Sequence, residues 1–364
     1  MNLHQDQIQQ EIKDVLDVNG RGVIIGATGS GKTRAIILHI KGAYNEKARI
    51  LHVVPTEKLR DYDMPEEHRT WGTGGYNIQF ICYKSLPGVK GQHYDLVVLD
   101  EGHNVTKLNS RFFLYNTFGN VILCTATYPE EVEKRQLIEK LLKLRILYTL
   151  PLSEAEQEKV VPEFDIYLVR VPMRNTNKIL YNKGTKLEPK WLMVGEREAY
   201  EDLEERISKS NDKELYMERY SVLTRMISKA DVARAYMLQA EAKGRRVLVF
   251  MGLARAANRV SKDAYHTKNK NNSLEDYVSG KINHLVTVGK LDEGANVGGN
   301  VAIVASLQRN PRRTIQRIGR ALRKTEGRRP MMVILVSKGT IDERNAARFF
   351  EESGKQPKQI IDAQ

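Results

Sequence analysis

The chain has 364 residues, enough for two cores rather than one. Its 58 lysines and arginines against 45 aspartates and glutamates leave a formal charge of +13. That excess favours polyanionic partners, because each neutralised phosphate releases condensed counterions. Only two cysteines occur, Cys82 and Cys124, each inside an apolar run, so a disulfide scaffold is excluded and buried strand cysteines are expected. No apolar run approaches membrane-spanning length, and the first residues lack the regions of a secretory signal. A cytoplasmic protein with no membrane partner is the expectation.

From residue 8 to about 128 short apolar runs alternate with helical or polar stretches. Strands are predicted at Gly22–Ile25, Ile50–Val54, Ile78–Cys82, Leu96–Leu99 and Val121–Cys124. They are rich in Val and Ile and apolar on both faces, as strands of a buried parallel sheet must be. The alternation predicts an α/β domain, with functional loops at the carboxyl ends of the strands. A helix is predicted over Glu130–Leu144, and the boundary lies between Pro151 and Pro162, giving domains at 1–155 and 163–364. The Lys- and Asn-rich segment Arg174–Val194 reads as a long surface loop or a small hairpin, and residues 199–243 read as helices. The α/β rhythm then resumes at Val247–Phe250, Leu285–Val288, Val301–Val304 and Met332–Val336.

Between the first strand and the helical run Arg34–Ile40 stands Gly26-Ala27-Thr28-Gly29-Ser30-Gly31-Lys32-Thr33. Glycines let the backbone curl so that its N–H groups face phosphate oxygens, Lys32 supplies a positive charge, and the Thr33 hydroxyl suits Mg²⁺. Such a pattern arises by chance in about one chain in a hundred of this length. Its place after a strand and before a helix makes a nucleoside triphosphate the expected ligand. Downstream, Asp95-Leu96-Val97-Val98-Leu99 runs straight into Asp100-Glu101-Gly102-His103. Asp100 is the candidate metal ligand, and Glu101 the candidate that polarises the attacking water.

With this quartet the chain resembles a superfamily 2 helicase with a DEAH-like box, similar to phage-type and branch-migration or repair DNA helicases. Further motifs of that family follow in order: Val53-Val54-Pro55-Thr56, Tyr83-Lys84-Ser85-Leu86, Thr125-Ala126-Thr127, and Val247 to Gly252. Then come Thr287-Val288-Gly289-Lys290-Leu291-Asp292-Glu293-Gly294-Ala295-Asn296 and Gln316-Arg317-Ile318-Gly319-Arg320-Ala321-Leu322-Arg323. The resemblance implies two tandem RecA-like domains, each a mostly parallel sheet flanked by helices, and ATP with Mg²⁺ as cofactors.

It also assigns roles. Gln5 reads the adenine edge, with Gln7 and Gln9 as competitors. Asp292 and Gly294 touch the nucleotide, and Gln316, Arg320 and Arg323 join Lys32, Asp100 and Glu101 in catalysis. Thr125 and Thr127 couple hydrolysis to movement. Arg317 makes the interdomain contact, and His103 pairs with Gln316. Pro55, Thr56, Ser85, Gly252, Thr287 and Lys290 grip the nucleic-acid backbone. Between Arg309 and Arg329 nine residues are basic and one, Glu326, is acidic. At spacings of three, Arg317, Arg320 and Arg323 share one helical face.

Two departures stand out. Gly102 replaces the alanine or cysteine of relatives, a small change expected to be harmless, and Asn296 replaces an aspartate. The motif wording favours DNA over RNA, contacted mainly through phosphates and so largely blind to sequence. The expected activity is nucleic-acid-stimulated ATP hydrolysis that drives unwinding, branch migration or annealing in replication, recombination or repair. An RNA helicase, a translocating subunit of a nuclease or restriction assembly, and a nucleotide-dependent clamp are the competing readings. The near-minimal motor core suggests a phage or mobile element, hence a host cytoplasm.

Overall fold

The computed structural model of the chain describes residues 3–26, 29–126, 128–129, 131–150, 154, 163–184, 188–210, 212–267, 269, 272–288, 297–307 and 329–363. It divides into two units, Met1–Val161 and Pro162–Gln364. The first unit carries β1 (Gly22–Gly26), β2 (Ile50–Val54), β3 (Ile78–Cys82), β4 (His93–Leu99), β5 (Thr117–Thr125) and β6 (Ile146–Leu150). These form one sheet in the order β3-β2-β4-β5-β1-β6, with every pairing parallel.

Side chains alternate across a strand, and here both faces are covered, so the strands read as continuous apolar runs. Val97, Leu99, Val121 and Leu123 enter one core. Leu96, Val98, Ile122 and Cys124 enter the other, against Ile8, Ile12 and Leu16 of helix Leu3–Asn19 and Ile36 and Ile40 of helix Lys32–Ala43. Spacings of four place those helical residues on single stripes. Each fully buried Leu or Ile contributes about 1.5–3 kcal/mol.

The second unit carries β7 (Asp165–Val171), β8 (Lys178–Asn182), β9 (Trp191–Gly195), β10 (Val247–Phe250), β11 (His284–Thr287), β12 (Val301–Val304), β13 (Met331–Ser337) and β14 (Gln359–Asp362). A six-stranded sheet runs β11-β10-β12-β13-β7-β14, again parallel throughout. Helix Ile227–Ala242 lays Ala230, Ala233, Met237 and Ala240 against Val169, Val247, Val249 and Ile303. Three of those four helical residues are alanines, so the helix approaches the sheet closely.

The fold is that of two RecA-like α/β units, as expected. Several elements differ from the sequence reading. Of the two alternatives for Arg174–Val194, loop or small hairpin, the structure holds the antiparallel hairpin β8–β9. One of its faces closes a small core with Ile179, Tyr181 and Val194 against helices Glu196–Lys209 and Lys213–Arg225. The helix expected over Glu130–Leu144 is a short turn, Val132–Gln136, that widens into a π-type turn over Leu137–Leu141. β6 and β14 are edge strands with exposed positions, so they lack the apolar run that marked their neighbours. No described helix is long and apolar enough to cross a membrane.

Candidate active site

The phosphate loop sits where β1 ends. Gly29 and Gly31 have φ of 88° and 89°, a left-handed conformation that glycine adopts at little cost. A Cβ on Gly31 would also stand 2.2 Å from Gln9 Nε2, so nothing larger fits there. Lys32, only 9% exposed, opens helix Lys32–Ala43 and donates from Nζ to the Gly26 carbonyl at 2.6 Å. Thr33 follows, half-buried in the first helical turn. The Ser30 hydroxyl is buried and has no hydrogen-bond partner among the described residues. Ala27 and Thr28 lie outside the described residues.

The three candidate glutamines separate clearly. Gln5 Nε2 donates to the Gly29 carbonyl at 2.9 Å, and Gln9 is buried beneath Gly31. Gln7 pairs with Glu11 on an exposed surface. Arg34 fastens the same corner, at 2.8 Å from Asp6 and with its guanidinium 4.0 Å from the Trp71 ring centroid.

The acidic pair follows β4, separated from β1 by β5 alone. Asp100 keeps a small open side. Its carboxyl is enclosed, and burial pushes it up to about 6, with repulsion from Glu101 adding and the nearby Lys32 charge opposing. β1 and β4 end on the same edge of one parallel sheet, which brings the loop lysine and the carboxylate to one side of it. Cys124 Sγ donates to Asp100 Oδ1 at 3.1 Å, and Tyr83 Oη donates to the Asp100 carbonyl at 2.8 Å. Burial, then the Asp100 charge, raises the Cys124 thiol well above its ordinary value, so it remains a donor.

Glu101 has φ 50° and ψ 55°, a conformation that costs a non-glycine residue about 1 kcal/mol or more. The Asn104 backbone and side-chain amides, at 2.9 and 3.1 Å from the Glu101 carbonyl, hold it there. His103 Nδ1 lies 3.5 Å from Glu101 Oε2 and 3.5 Å from Thr125 Oγ1, which joins the box to the end of β5.

A buried enclosed carboxyl, a lysine aimed at the loop backbone, an unpartnered buried serine hydroxyl and left-handed glycines fit a triphosphate with a divalent cation. Thr33 and Asp100 are the residues that could hold such a cation. Among the described residues, neither the strained backbone at Glu101 nor the thiol support from Cys124 was visible in the sequence. Only the apolar setting of Cys124 was, and it pointed to packing alone.

Pro55 and Thr56 follow β2, and Thr56 Oγ1 accepts from the Leu59 amide. Ser85 stands in the turn after β3. The neighbours of Thr56 and Ser85, Glu57 and Lys84, form an ion pair at 2.6 Å that ties the two loops. In the second unit Gly252 follows β10, where a Cβ would stand 2.6 Å from Thr224 Cγ2 and 2.7 Å from Ser306 Oγ. Thr287 ends β11, 1% exposed, with no hydrogen-bond partner for its hydroxyl among the described residues. Thr127, Lys290, Asp292, Gly294, Gln316, Arg317, Arg320 and Arg323 lie outside the described residues.

Residues 1–73 match the family model described as Type III restriction enzyme, res subunit. No curated protein matches the chain in sequence. In fold it is similar to Saccharomyces cerevisiae Dbp5 bound to RNA and ADP BeF3, with a TM-score of 0.61 at 15% identity over 98% of this chain and 89% of that one. It is similar to the ATP-dependent Type ISP restriction-modification enzyme LlaBIII bound to DNA, with a TM-score of 0.61 at 12% identity over 100% of this chain and 31% of that one. The Pyrococcus furiosus Hef helicase domain gives a TM-score of 0.52 at 17% identity over 96% and 98% of the two chains. The chain is thus similar to a restriction-enzyme family over residues 1–73 and to these three proteins in the fold of both units.

Proposed function

We propose that the chain is a nucleic-acid-dependent ATPase that moves along or unwinds DNA. The observation that carries this reading is that the loop bearing Lys32 and the turn bearing Asp100 and Glu101 follow strands with β5 alone between them, on the sheet edge that also bears Pro55, Thr56 and Ser85. Lys32 binds the outer phosphates, and Thr33 and Asp100 hold Mg²⁺. Glu101 takes a proton from the attacking water. Bound Mg²⁺–ATP supplies the phosphoryl group whose transfer to water drives the motor. Gln5 and the loop amides orient the nucleotide. Arg320 and Arg323 contribute the positive charge that stabilises phosphoryl transfer.

DNA is favoured over RNA by the match of residues 1–73 to a restriction-enzyme family and by the likeness to LlaBIII bound to DNA. The likeness to Dbp5 bound to RNA supports the competing track. Steady-state ATP hydrolysis with single-stranded, duplex and forked DNA and matched RNA, with Glu101→Gln as the blank, separates the two. Stimulation by forked or duplex DNA that the mutant loses supports a role in recombination or repair. Stimulation by RNA alone overturns the DNA reading.

A second reading rests on coverage: the chain corresponds to 31% of LlaBIII. It makes the chain the translocating part of a larger nuclease or restriction assembly. A stable partner recovered with the tagged chain, together with DNA stimulation only in that partner's presence, supports it. Full stimulation of the isolated chain removes it.

A further inference from the structure

The hairpin β8–β9 is two-faced. Ile179, Tyr181 and Val194 close a core on one side, while Leu180, Trp191 and Met193 are apolar yet exposed on the other. In the register of the hairpin Leu180 stands opposite Met193 and Asn182 opposite Trp191, so these side chains share one surface. That surface forms one wall of a cleft of about 320 Å³. Across it stand Leu253 and helix Ala254–Val260 with Arg255 and Arg259, and the floor is Arg225 to Ala230. Among the described residues, four cations line the cleft, Lys178, Arg225, Arg255 and Arg259, and no acidic residue does.

The cations fall into two kinds. Arg259 is held by Asp231 at 2.7 Å, and Arg225 by Ser221, the Leu180 carbonyl and Glu218. These two brace the walls, and Arg225 brings its guanidinium to 6.0 Å from the Trp191 ring centroid. Lys178 and Arg255 are exposed and form no ion pair with a described residue. An exposed aromatic flanked by such cations is the combination that stacks a base and neutralises its phosphate.

We propose that this cleft is a subsite for one unpaired nucleotide of a single strand, its base on Trp191 and Met193 and its phosphate on Arg255 and Lys178. The inference rests on the proposed nucleic-acid motor and adds to it a site that stacks a base. Position supports this occupant: Leu253 follows Gly252 directly at the end of β10, so a strand gripped at Gly252 reaches the cleft without a detour. The volume lies near the lower bound of about 300 Å³ for ligand clefts, which suits one nucleotide and excludes a duplex.

The chain has two tryptophans, Trp71 and Trp191, so Trp71→Phe leaves a single reporter. The test titrates that protein with oligo-deoxythymidylate and follows Trp191 emission, with strand anisotropy measured in parallel for Trp191→Ala, Trp191→Phe and Arg255→Glu. Expected are quenching of Trp191, binding about tenfold or more weaker in Trp191→Ala, and recovery of most of it in Trp191→Phe. Arg255→Glu weakens binding and lowers the slope of log affinity against log salt by about one. Melting curves matching the parent show that the variants are folded.

Tight strand binding that leaves Trp191 unquenched, or that Trp191→Ala and Arg255→Glu do not weaken, overturns the cleft and leaves the motor reading standing. Quenching by poly-glutamate but not by the oligonucleotide also overturns it, and assigns the cleft to an acidic protein segment. No binding of any nucleic acid by the parent protein, with or without ATP, takes down the motor reading first.

Discussion

The two sheets share one wiring. Counting parallel-sheet strands in chain order within each unit, β1 to β6 and then β7 and β10 to β14, both run third, second, fourth, fifth, first, sixth. The segments at the carboxyl ends of the strands differ. The first strand of one unit leads into the phosphate loop, whereas the first strand of the other leads toward the hairpin and its cleft. After the fourth strand one unit places Asp100 and Glu101, and the other places Ala305 and Ser306. After the second strand the units place Pro55-Thr56 and Gly252, and at the end of the third they place Ser85 and Thr287. The proposed backbone grips therefore occupy equivalent positions in both units, while the nucleotide chemistry is built in one.

The largest expected effect breaks that asymmetry at its centre. Lys32→Ala removes the ammonium proposed to bind the phosphates, and nucleic-acid-stimulated turnover should fall by about a hundred- to a thousandfold. Turnover within tenfold of the parent would mean that the loop does not carry the chemistry assigned to it.

A second buried lysine tests the other unit. Lys229 and Asp342 lie 2.7 Å apart, each 3% exposed, and Asp342 also accepts from the Ser337 amide at 3.2 Å. Here the lysine charge is answered by a carboxylate and serves the fold. Lys229→Met leaves that carboxylate buried without its cation and should cost about 3–5 kcal/mol in urea unfolding. The double variant with Asp342→Asn should regain much of the loss. A neutral single variant would sink the assignment.

Acid should act on the first unit. His52 and His68 are buried side by side, with His52 Nδ1 at 3.0 Å from His68 Nε2 and His68 Nδ1 at 2.8 Å from Thr73 Oγ1. Burial lowers His68 to about 4, and burial with the neighbouring His68 lowers His52 well below its ordinary value. Below pH 6.5 the unfolded chain takes protons that the native imidazoles refuse, so stability falls as pH drops from 6.5 toward 4. For His68 alone the loss approaches about 3 kcal/mol. His68→Gln should flatten the melting temperature over that window, and an unchanged slope would exonerate the pair.

Much of this comparison was legible in the sequence, for reasons that particular residues make plain. β1, β2, β4, β5, β10 and β12 are central strands covered on both faces, and continuous apolar runs marked them. The phosphate loop and acidic box were legible because glycines, lysine and paired acids leave little choice of residue. The hairpin was legible only as one of two alternatives, because Lys178, Asn182 and Trp191 serve one face while Ile179, Tyr181 and Val194 serve the other, and the mixture reads equally as loop or strand. The Cys124 thiol at Asp100 and the left-handed backbone of Glu101 arise from contacts between β4, β5 and the turn after them, which no local pattern encodes.

The smallest expected effect concerns that same turn and the glycine of the acidic box. Gly102 is buried, and a Cβ there would stand 2.2 Å from Cγ and Cδ2 of Leu123. Leu123 is wholly buried in the core with Val97, Leu99 and Val121 and has no open space to enter. The glycine and the full-sized leucine are thus a matched pair, and restoring the alanine of relatives at this position is an overpacking change. Gly102→Ala should cost about 1–3 kcal/mol. It should also disturb Glu101, whose left-handed backbone adjoins it. Leu123→Ala removes the clashing Cγ and Cδ2 atoms, so the double variant should be more stable than the two single losses added together. Additive losses in a thermal or urea double-mutant cycle would show that Leu123 is not what keeps the third box position a glycine.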